Sequence, residues 1–210
     1  KYEELRFEGD YLYDAKIKGK FYIKGYNENG NVIYELKNGN GKGLIKEYDE
    51  DDKLRFEGEY LNGQKNGKGK EYDYKGKLRF EGEYKNGQKN GKGKEYDDEG
   101  PLFFEGEYLN GQKNGKGKEY YFDGKLGFEG EFLNDKINGK GKEYYFDGNL
   151  IFEGNYKINR RWASKGYDPF NNMIFELKDG KGFIKEYDED DKLRFEGEYK
   201  NGQKNGKGKE

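Results

Sequence analysis

Between Leu54 and Tyr60 the chain alternates, with Leu54, Phe56, Gly58 and Tyr60 on one side and Arg55, Glu57 and Glu59 on the other. A period of two means a strand with one apolar and one charged face. The same parity returns at Leu78/Phe80/Gly82/Tyr84 and at Leu126/Phe128/Gly130/Phe132. Asn62-Gly63 opens a polar turn that closes at Asn66-Gly67, a hairpin signal. A second strand is predicted from Lys68 to about Tyr74, and "YKGK" at Tyr74–Lys77 turns the chain into its next copy. Asp52 and Asp191 replace the glycine of that turn in two copies, and Asp tolerates left-handed backbone.

The Phe-Glu-Gly anchor recurs every 24 residues at Phe56, Phe80, Phe104, Phe128 and Phe152, with further copies at Phe7 and Phe195. Two shorter, divergent units begin at Val32 ("VIYELKNGNGKGLIKEY") and Met173 ("MIFELKDGKGFIKEY"), giving nine units with the last incomplete. "IKEYDEDDKLRFEGEY" stands unchanged at Ile45–Tyr60 and Ile184–Tyr199. The expected organisation is one array over 1–210. Regular units occupy about 54–156, divergent modules about 12–48 and 157–187, and the final unit is truncated, as in a piece of a longer chain. The fold class is all-β: an elongated, single-layer, twisted antiparallel meander of tandem β-hairpin repeats. At roughly 4.8 Å per strand it extends on the order of 85 Å before twist.

Two local features need explanation. Gly58 and its equivalents sit in mid-strand on the aromatic face, where glycine normally weakens a sheet. An aromatic ring from a neighbouring strand lying across the bare backbone accounts for them. In the second strand Gly67 and Gly69 are in phase with each other, but Tyr72 and Tyr74 are out of phase with them. Either these tyrosines face the other side or a β-bulge near Lys70-Glu71 resets the alternation; the bulge is the favoured reading, returning both to the aromatic face.

Composition supports a thin structure. Only 30% of residues are hydrophobic and 40% are charged, but 21 Tyr, 15 Phe and Trp162 supply more than half of the apolar residues. Each buried side chain therefore carries a large apolar area. Lys and Arg total 41 against 43 Asp and Glu, a balance that argues against nucleic acid as a partner. His and Cys are absent, which removes the commonest general base, the commonest metal ligand, thiolate sites and disulfides. No cofactor and no metal are expected, and no apolar run is long enough to span a bilayer as a helix.

"FEGEYLNGQKNGKGKEY" at Phe56–Tyr72 resembles the MORN repeat, whose pattern is roughly Tyr-x-Gly-x-Trp/Tyr followed by x-x-Gly-x-x-x-Gly-x-Gly. The 24-residue period and "KEYYFDGKL" at Lys118–Leu126 are also similar to variant units of bacterial antitoxin-like MORN proteins. This chain departs from the pattern in using Phe first, Tyr in the Trp place and one extra residue after Gly-x-Gly. The resemblance implies a single-layer twisted sheet, sometimes grooved, that serves as a scaffold or oligomerisation element. It also implies protein partners, in some members phosphoinositides and membrane attachment, and a cytoplasmic, in some cases membrane-associated, setting. No part of the lipid-kinase or methyltransferase domains found beside such repeats is recognisable, so the expectation is that the segment is not an enzyme.

Several residue groups are candidate sites. The aromatic face of Tyr60, Tyr84, Tyr108, Phe132 and Tyr156 has no second layer within the chain. If its rings stay exposed they form an interface for a protein partner or a homodimer; the alternative is that they pack on one another in a curled sheet. "YKINRRWASKGY" at Tyr156–Tyr167 surrounds Trp162 with Arg160, Arg161 and Lys165, a hot-spot composition, or else is an irregular loop redirecting the meander. Lys68, Lys70, Lys92, Lys94, Lys116 and Lys118 are candidates for acidic phospholipid headgroups. The plainer reading of the Lys clusters, Lys65 included, is a solvated face paired with Glu57 or Glu59 across strands. "GQKNGKGK" at Gly63–Lys70 lacks the Ser/Thr and the strand-to-helix context of a phosphate loop. "DEDD" at Asp49–Asp52 and Asp188–Asp191 lacks EF-hand spacing and reads as a charged inter-repeat turn. Glu57 with Glu59 as glycosidase carboxylates is disfavoured by their repetition along the array. Carbohydrate is a further alternative, because "EYYFDGKL" is faintly similar to aromatic cell-wall-binding repeats.

Overall fold

The computed structural model describes residues 4–12, 15–26, 32–38, 43–49, 51, 53–61, 64–188 and 192–209, with side chains from Leu44 onward except Ile45. Asn62-Gly63, Glu50, Asp52 and Glu189–Asp191, on which parts of the turn reading fall, lie outside the described residues. The chain forms two compact units, Lys1–Gly100 and Pro101–Glu210. Every described element in both is a strand, every described pairing is antiparallel, and the hairpins form an open meander.

The first unit contains β1 (Glu4–Leu12), β2 (Ala15–Tyr26), β3 (Val32–Asn38), β4 (Gly43–Tyr48), β5 (Leu54–Leu61), β6 (Gln64–Tyr72), β7 (Leu78–Lys85) and β8 (Gln88–Tyr96), paired in chain order. In the second, β9 (Leu102–Leu109), β10 (Gln112–Tyr120), β11 (Leu126–Leu133), β12 (Lys136–Tyr144), β13 (Leu150–Lys157), β14 (Arg160–Tyr167) and β15 (Met173–Leu177) also follow chain order. There β16 (Gly182–Tyr187), β17 (Leu193–Lys200) and β18 (Gln203–Lys209) make a separate three-stranded sheet.

The core is built on glycine. Gly58 pairs with Gly69, Gly69 with Gly82, and Gly82 with Gly93, so one row crosses β5–β8 without a side chain. A second row in the other unit runs Gly106, Gly117, Gly130, Gly141, Gly154. Phe rings lie along these rows. A Cβ on Gly69 would come 2.6 Å from Cζ of Phe56 and 3.1 Å from Cε2 of Tyr84. The roofing ring over Gly58 belongs to Phe56, two residues earlier in the same strand, whereas over Gly69 it comes from the neighbouring strand as expected. Tyr84 meets Phe56 edge-on at 5.5 Å and Phe80 at 5.5 Å, the offset that ring quadrupoles favour. Phe56, Phe80, Phe104 and Phe152 are almost wholly buried.

The second strand begins at Gln64, four residues earlier than its sequence suggests, because the hairpin loop has only two residues. In one described copy, Asn86 (φ 50°) and Gly87 (φ 82°) form it, with both residues in the left-handed region. The second Asn-Gly is not the end of the turn but a bulge within the strand. Register slips between Gly82↔Gly93 and Tyr84↔Lys89, and Gly91 (φ 97°) sits in the slip against Glu83. The favoured reading of Tyr72 is also corrected. A register shift does occur between Glu71 and Tyr72, but the extra residue, Arg79, lies on β7. Tyr72 keeps the phase of Lys70 and its hydroxyl donates to Glu57 on the charged face at 2.7 Å; Tyr74 is an exposed turn residue. Glu71, in phase with Gly69, is the residue that joins the aromatic face.

The divergent units interrupt the glycine row. Leu177 and Ile184 occupy its positions in β15 and β16 and are fully buried. Two branched side chains replace the close Gly–Gly approach, and among the described residues β15 and β16 are joined only by the Lys178↔Lys181 bridge. Among the described residues, the earlier divergent hairpin, β3–β4, is paired at Glu35↔Leu44 and Leu36↔Gly43.

Two alanine substitutions separate the roof from the backbone. The atoms nearest the Cβ of Gly69→Ala are ring atoms of Phe56 and Tyr84, whereas that of Gly58→Ala also lies 2.6 Å from Cα of Gly69 and 2.7 Å from the Lys68 carbonyl. Gly69→Ala is expected to cost about 1–3 kcal/mol, and Phe56→Leu to recover part of that in a double-mutant cycle. Gly58→Ala is expected to cost more and to be recovered less. Denaturant midpoints of the three single and two double variants check this; equal coupling to Phe56 would contradict it.

Candidate functional site

The aromatic face is closed by its own charges. Lys65 lays its ammonium 4.0 Å from the centre of the Phe56 ring and pairs with Glu71 at 3.2 Å and Glu47 at 3.8 Å. Its partners are therefore on the aromatic face, not Glu57 or Glu59. Lys89 over Phe80, Lys113 over Phe104 and Lys204 over Phe195 repeat the contact at 4.0, 3.9 and 4.0 Å. Tyr60 and Tyr199 donate to Glu47 and Glu186 from the side. Tyr84 is 4% exposed, and Tyr108, Phe132 and Tyr156 are equally buried, with Tyr60 half-buried. The exposure that would make these rings a docking patch is therefore absent in this structure, and their packing on one another is the arrangement observed.

Trp162 and its cationic neighbours lie on or beside a regular strand, β14, rather than in a loop. Alternation, reset by a register slip at Trp162, sends them to different places. Arg160 and Lys165 are exposed, and Lys157 sits 4.6 Å over the Trp162 ring. Arg161 points inward. Opposite Tyr156 as Lys65 is opposite Tyr60, it is the roofing cation of its own hairpin and lies 4.7 Å over Phe152. It also pairs with Glu143, whose own strand carries Ile137 in the roofing position. It also reaches Glu186 of β16 at 3.7 Å, spanning the place where the sheet is interrupted. Burial opposes ionisation of Glu143, but the Arg161 charge and the hydrogen bonds from Arg161 and Tyr156 outweigh it and hold the carboxyl below its usual range. Arg161 is thus a half-buried tie and not an exposed hot spot.

On the opposite face each carboxylate has a structural task. Tyr72, Tyr96, Tyr120 and Tyr144 donate to Glu57, Glu81, Glu105 and Glu129 at 2.7–2.8 Å. Glu59, Glu107 and Glu131 accept from the bulge amides of Lys68, Lys116 and Lys140. Lys70 lies between Glu57 and Glu81, and Lys118 between Glu105 and Glu129; Lys94 faces Glu81, Lys68 faces Glu83 and Lys116 faces Glu131. Lys92 is exposed like the others. Charges alternate along the rows, so the six lysines present no continuous positive field. The described part of the acidic turns is structural too: Asp49 and Asp188 accept the amides of Lys53 and Lys192.

Phe103 and Phe183 are exposed on strands β9 and β16, but the most exposed rings are at the inter-repeat turns. Phe122 and Phe170 are each 76% exposed, and Phe146 packs on Tyr121 and Phe122 at 5.2 and 5.6 Å. The signal was present in "YYFD" at Tyr120–Asp123 and Tyr144–Asp147, where two rings follow the strand's last Tyr. Regular units there read Tyr72-Asp73-Tyr74 and Tyr96-Asp97-Asp98.

Family models agree with this hairpin geometry. The MORN repeat matches residues 56–77, 80–100, 104–125, 128–150 and 195–210, and the MORN repeat variant matches 42–62 and 184–201. The chain belongs to the MORN-repeat family, whose members are generally non-catalytic repeat scaffolds and whose repeats commonly mediate protein or membrane interactions. A search among curated proteins gives no match.

Two measurements test the charge chemistry. Arg161→Met is expected to destabilise the second unit by about 1–3 kcal/mol, because it leaves the half-buried Glu143 without its cation. Adding Glu143→Gln should recover much of that in urea melts, and a null effect of the single change would refute the tie. For Tyr72, Tyr120 and Tyr144, burial first, then the hydrogen bond and charge of the facing Glu, raise the phenol to about 12 from 10.0. The folded state holds these protons more tightly, so their contribution is intact below pH 10 and is lost as pH rises towards 12. A melting temperature flat across that window would contradict the assignment.

Proposed function

We propose that the protein is a non-catalytic scaffold that binds a protein partner. The observation that carries this reading is where the large exposed side chains fall. Most aromatic and charged groups of the two faces are spent on internal contacts, while Phe122 and Phe170 project from rigid turns with the half-buried Phe146 stacked beside Phe122. Exposed rings beside polar turn residues are the composition of protein-binding surfaces. Attachment to acidic membranes through Lys68, Lys70, Lys92, Lys94, Lys116 and Lys118 is the less favoured reading, since Glu rows interleave with those lysines.

The test runs two binding assays in parallel. Proteins enriched from a lysate of the source organism are purified and titrated individually by calorimetry, and the scaffold is sedimented with phosphatidylserine-containing vesicles. The expected result is saturable binding of a purified protein with weak salt dependence and no enrichment on vesicles. Vesicle binding that falls steeply with salt and disappears when those six lysines become Gln would contradict the proposal.

A further inference from the structure

We infer that the turn edge of the second unit binds an extended, cationic segment of a protein partner, with Arg or Lys side chains stacking on its exposed rings. This rests on the scaffold reading above and specifies its surface and the partner's chemistry.

The edge is rigid enough to act as a site. Tyr121 packs against Gly127, where a Cβ would lie 3.2 Å from the ring, and its hydroxyl donates to the Tyr144 carbonyl at 2.7 Å. Tyr145 donates likewise to the Tyr167 carbonyl, and the Asn149 amide to the Pro169 carbonyl at 2.9 Å. Each turn is thus fastened to the next, and the residue after each anchoring tyrosine, Phe122 or Phe146, is carried on a fixed base. Such pre-organisation lowers the entropy cost of binding.

The charge at the edge is complementary to a cation. Asp123, Asp147 and Asp168 stand in three successive turns beside one lysine, Lys125. Asp123 pairs with Lys125 at 3.3 Å. Asp147 accepts from Asn149, and Asp168 from Phe170 and Asn172; these donors are neutral. Among the described residues, neither Asp147 nor Asp168 has a cation within ion-pair distance.

The edge already holds one example of its proposed ligand. Lys125 lies 4.7 Å over the Phe146 ring while paired with Asp123. This is the same combination of ring, cation and carboxylate that Lys65 makes with Phe56 and Glu71. Phe122 and Phe170 have the ring and the neighbouring carboxylates but expose most of their surface. Turns recur about every 9.6 Å, two strand spacings, which matches three residues of extended chain at about 3.3 Å each. A segment with cations at every third residue therefore fits the edge.

The probe is a synthetic peptide of repeating Arg-Gly-Gly triplets, titrated into the full chain by calorimetry and by amide chemical-shift mapping. A Gln-Gly-Gly peptide and cellohexaose serve as comparisons. Binding of the Arg peptide alone is expected, with shifts centred on 121–125, 145–149 and 168–172. Phe122→Ser with Phe170→Ser should weaken it by about tenfold, the scale of one or two cation–π contacts. Asp147→Asn should weaken it less, and both variants should keep the wild-type circular dichroism and melting temperature. The inference is overturned if the Arg peptide does not bind, if binding survives loss of both rings, or if the oligosaccharide takes those turns instead. Failure of the peptide while a purified protein still binds the scaffold overturns this inference alone. Absence of any protein partner overturns the scaffold reading itself.

Discussion

A phenylalanine ring lying flat on paired glycines is the contact on which the rest of the structure depends. A sheet with no second layer has nowhere to bury large side chains except against its own backbone. Removing the Cβ atoms along one row lets each ring settle onto the chain, and edge-on Tyr or Phe rings from the adjacent hairpin close the gaps. Lysine then covers the ring, its aliphatic stem on the apolar surface and its ammonium over the π face, held by a carboxylate. Phe56, Lys65 and Glu71 form such a set, and the hairpins repeat it. A chain poor in aliphatic residues can therefore keep a dry core one ring thick.

The same contact explains the departures. Where Leu177 and Ile184 enter the glycine row, the ring loses its floor and the hairpin opens. Where Ile137 takes the lysine position in β12, Glu143 of that strand is paired instead by Arg161, which roofs Phe152 in its own hairpin. Function follows by subtraction: carboxylates capping bulges or accepting phenols are occupied, and alternating Lys and Glu rows cancel at short range. The turns, which the repeat's packing does not constrain, are free to vary, and there the second unit places its rings.

Much of this was legible in the sequence, for a physical reason. Strand alternation at Leu54–Tyr60 and the Asn-Gly hairpin signal are local rules, and repetition at a fixed period multiplies them. What could not be read was phase after an irregularity. The parity of Tyr72 against Gly69 signals a bulge near the strand end but not which strand carries it; Arg79 on β7 is the extra residue, so Tyr72 stays with Glu57. Lys65 and Lys68 look alike in a polar run, yet odd and even positions send one over Phe56 and leave the other in solvent. Arg161 in "NRRWASK" resembled a hot spot because composition does not show which of two adjacent arginines faces inward. Whether the aromatic face is exposed or packed on itself stayed open, because the sequence does not reveal that lysines cover its rings.

Proton NMR of the glycine α-protons tests the central contact most directly. Under a ring face, the α-protons of Gly69, Gly117 and Gly141 should resonate well upfield of those of Gly76, Gly87 and Gly124, whose surroundings are open. Those shifts should collapse towards the turn values when the covering Phe56, Phe104 or Phe128 is changed to Leu. If the two classes of glycine resonate together in the wild type, the rings do not lie on the backbone and the account of this fold fails.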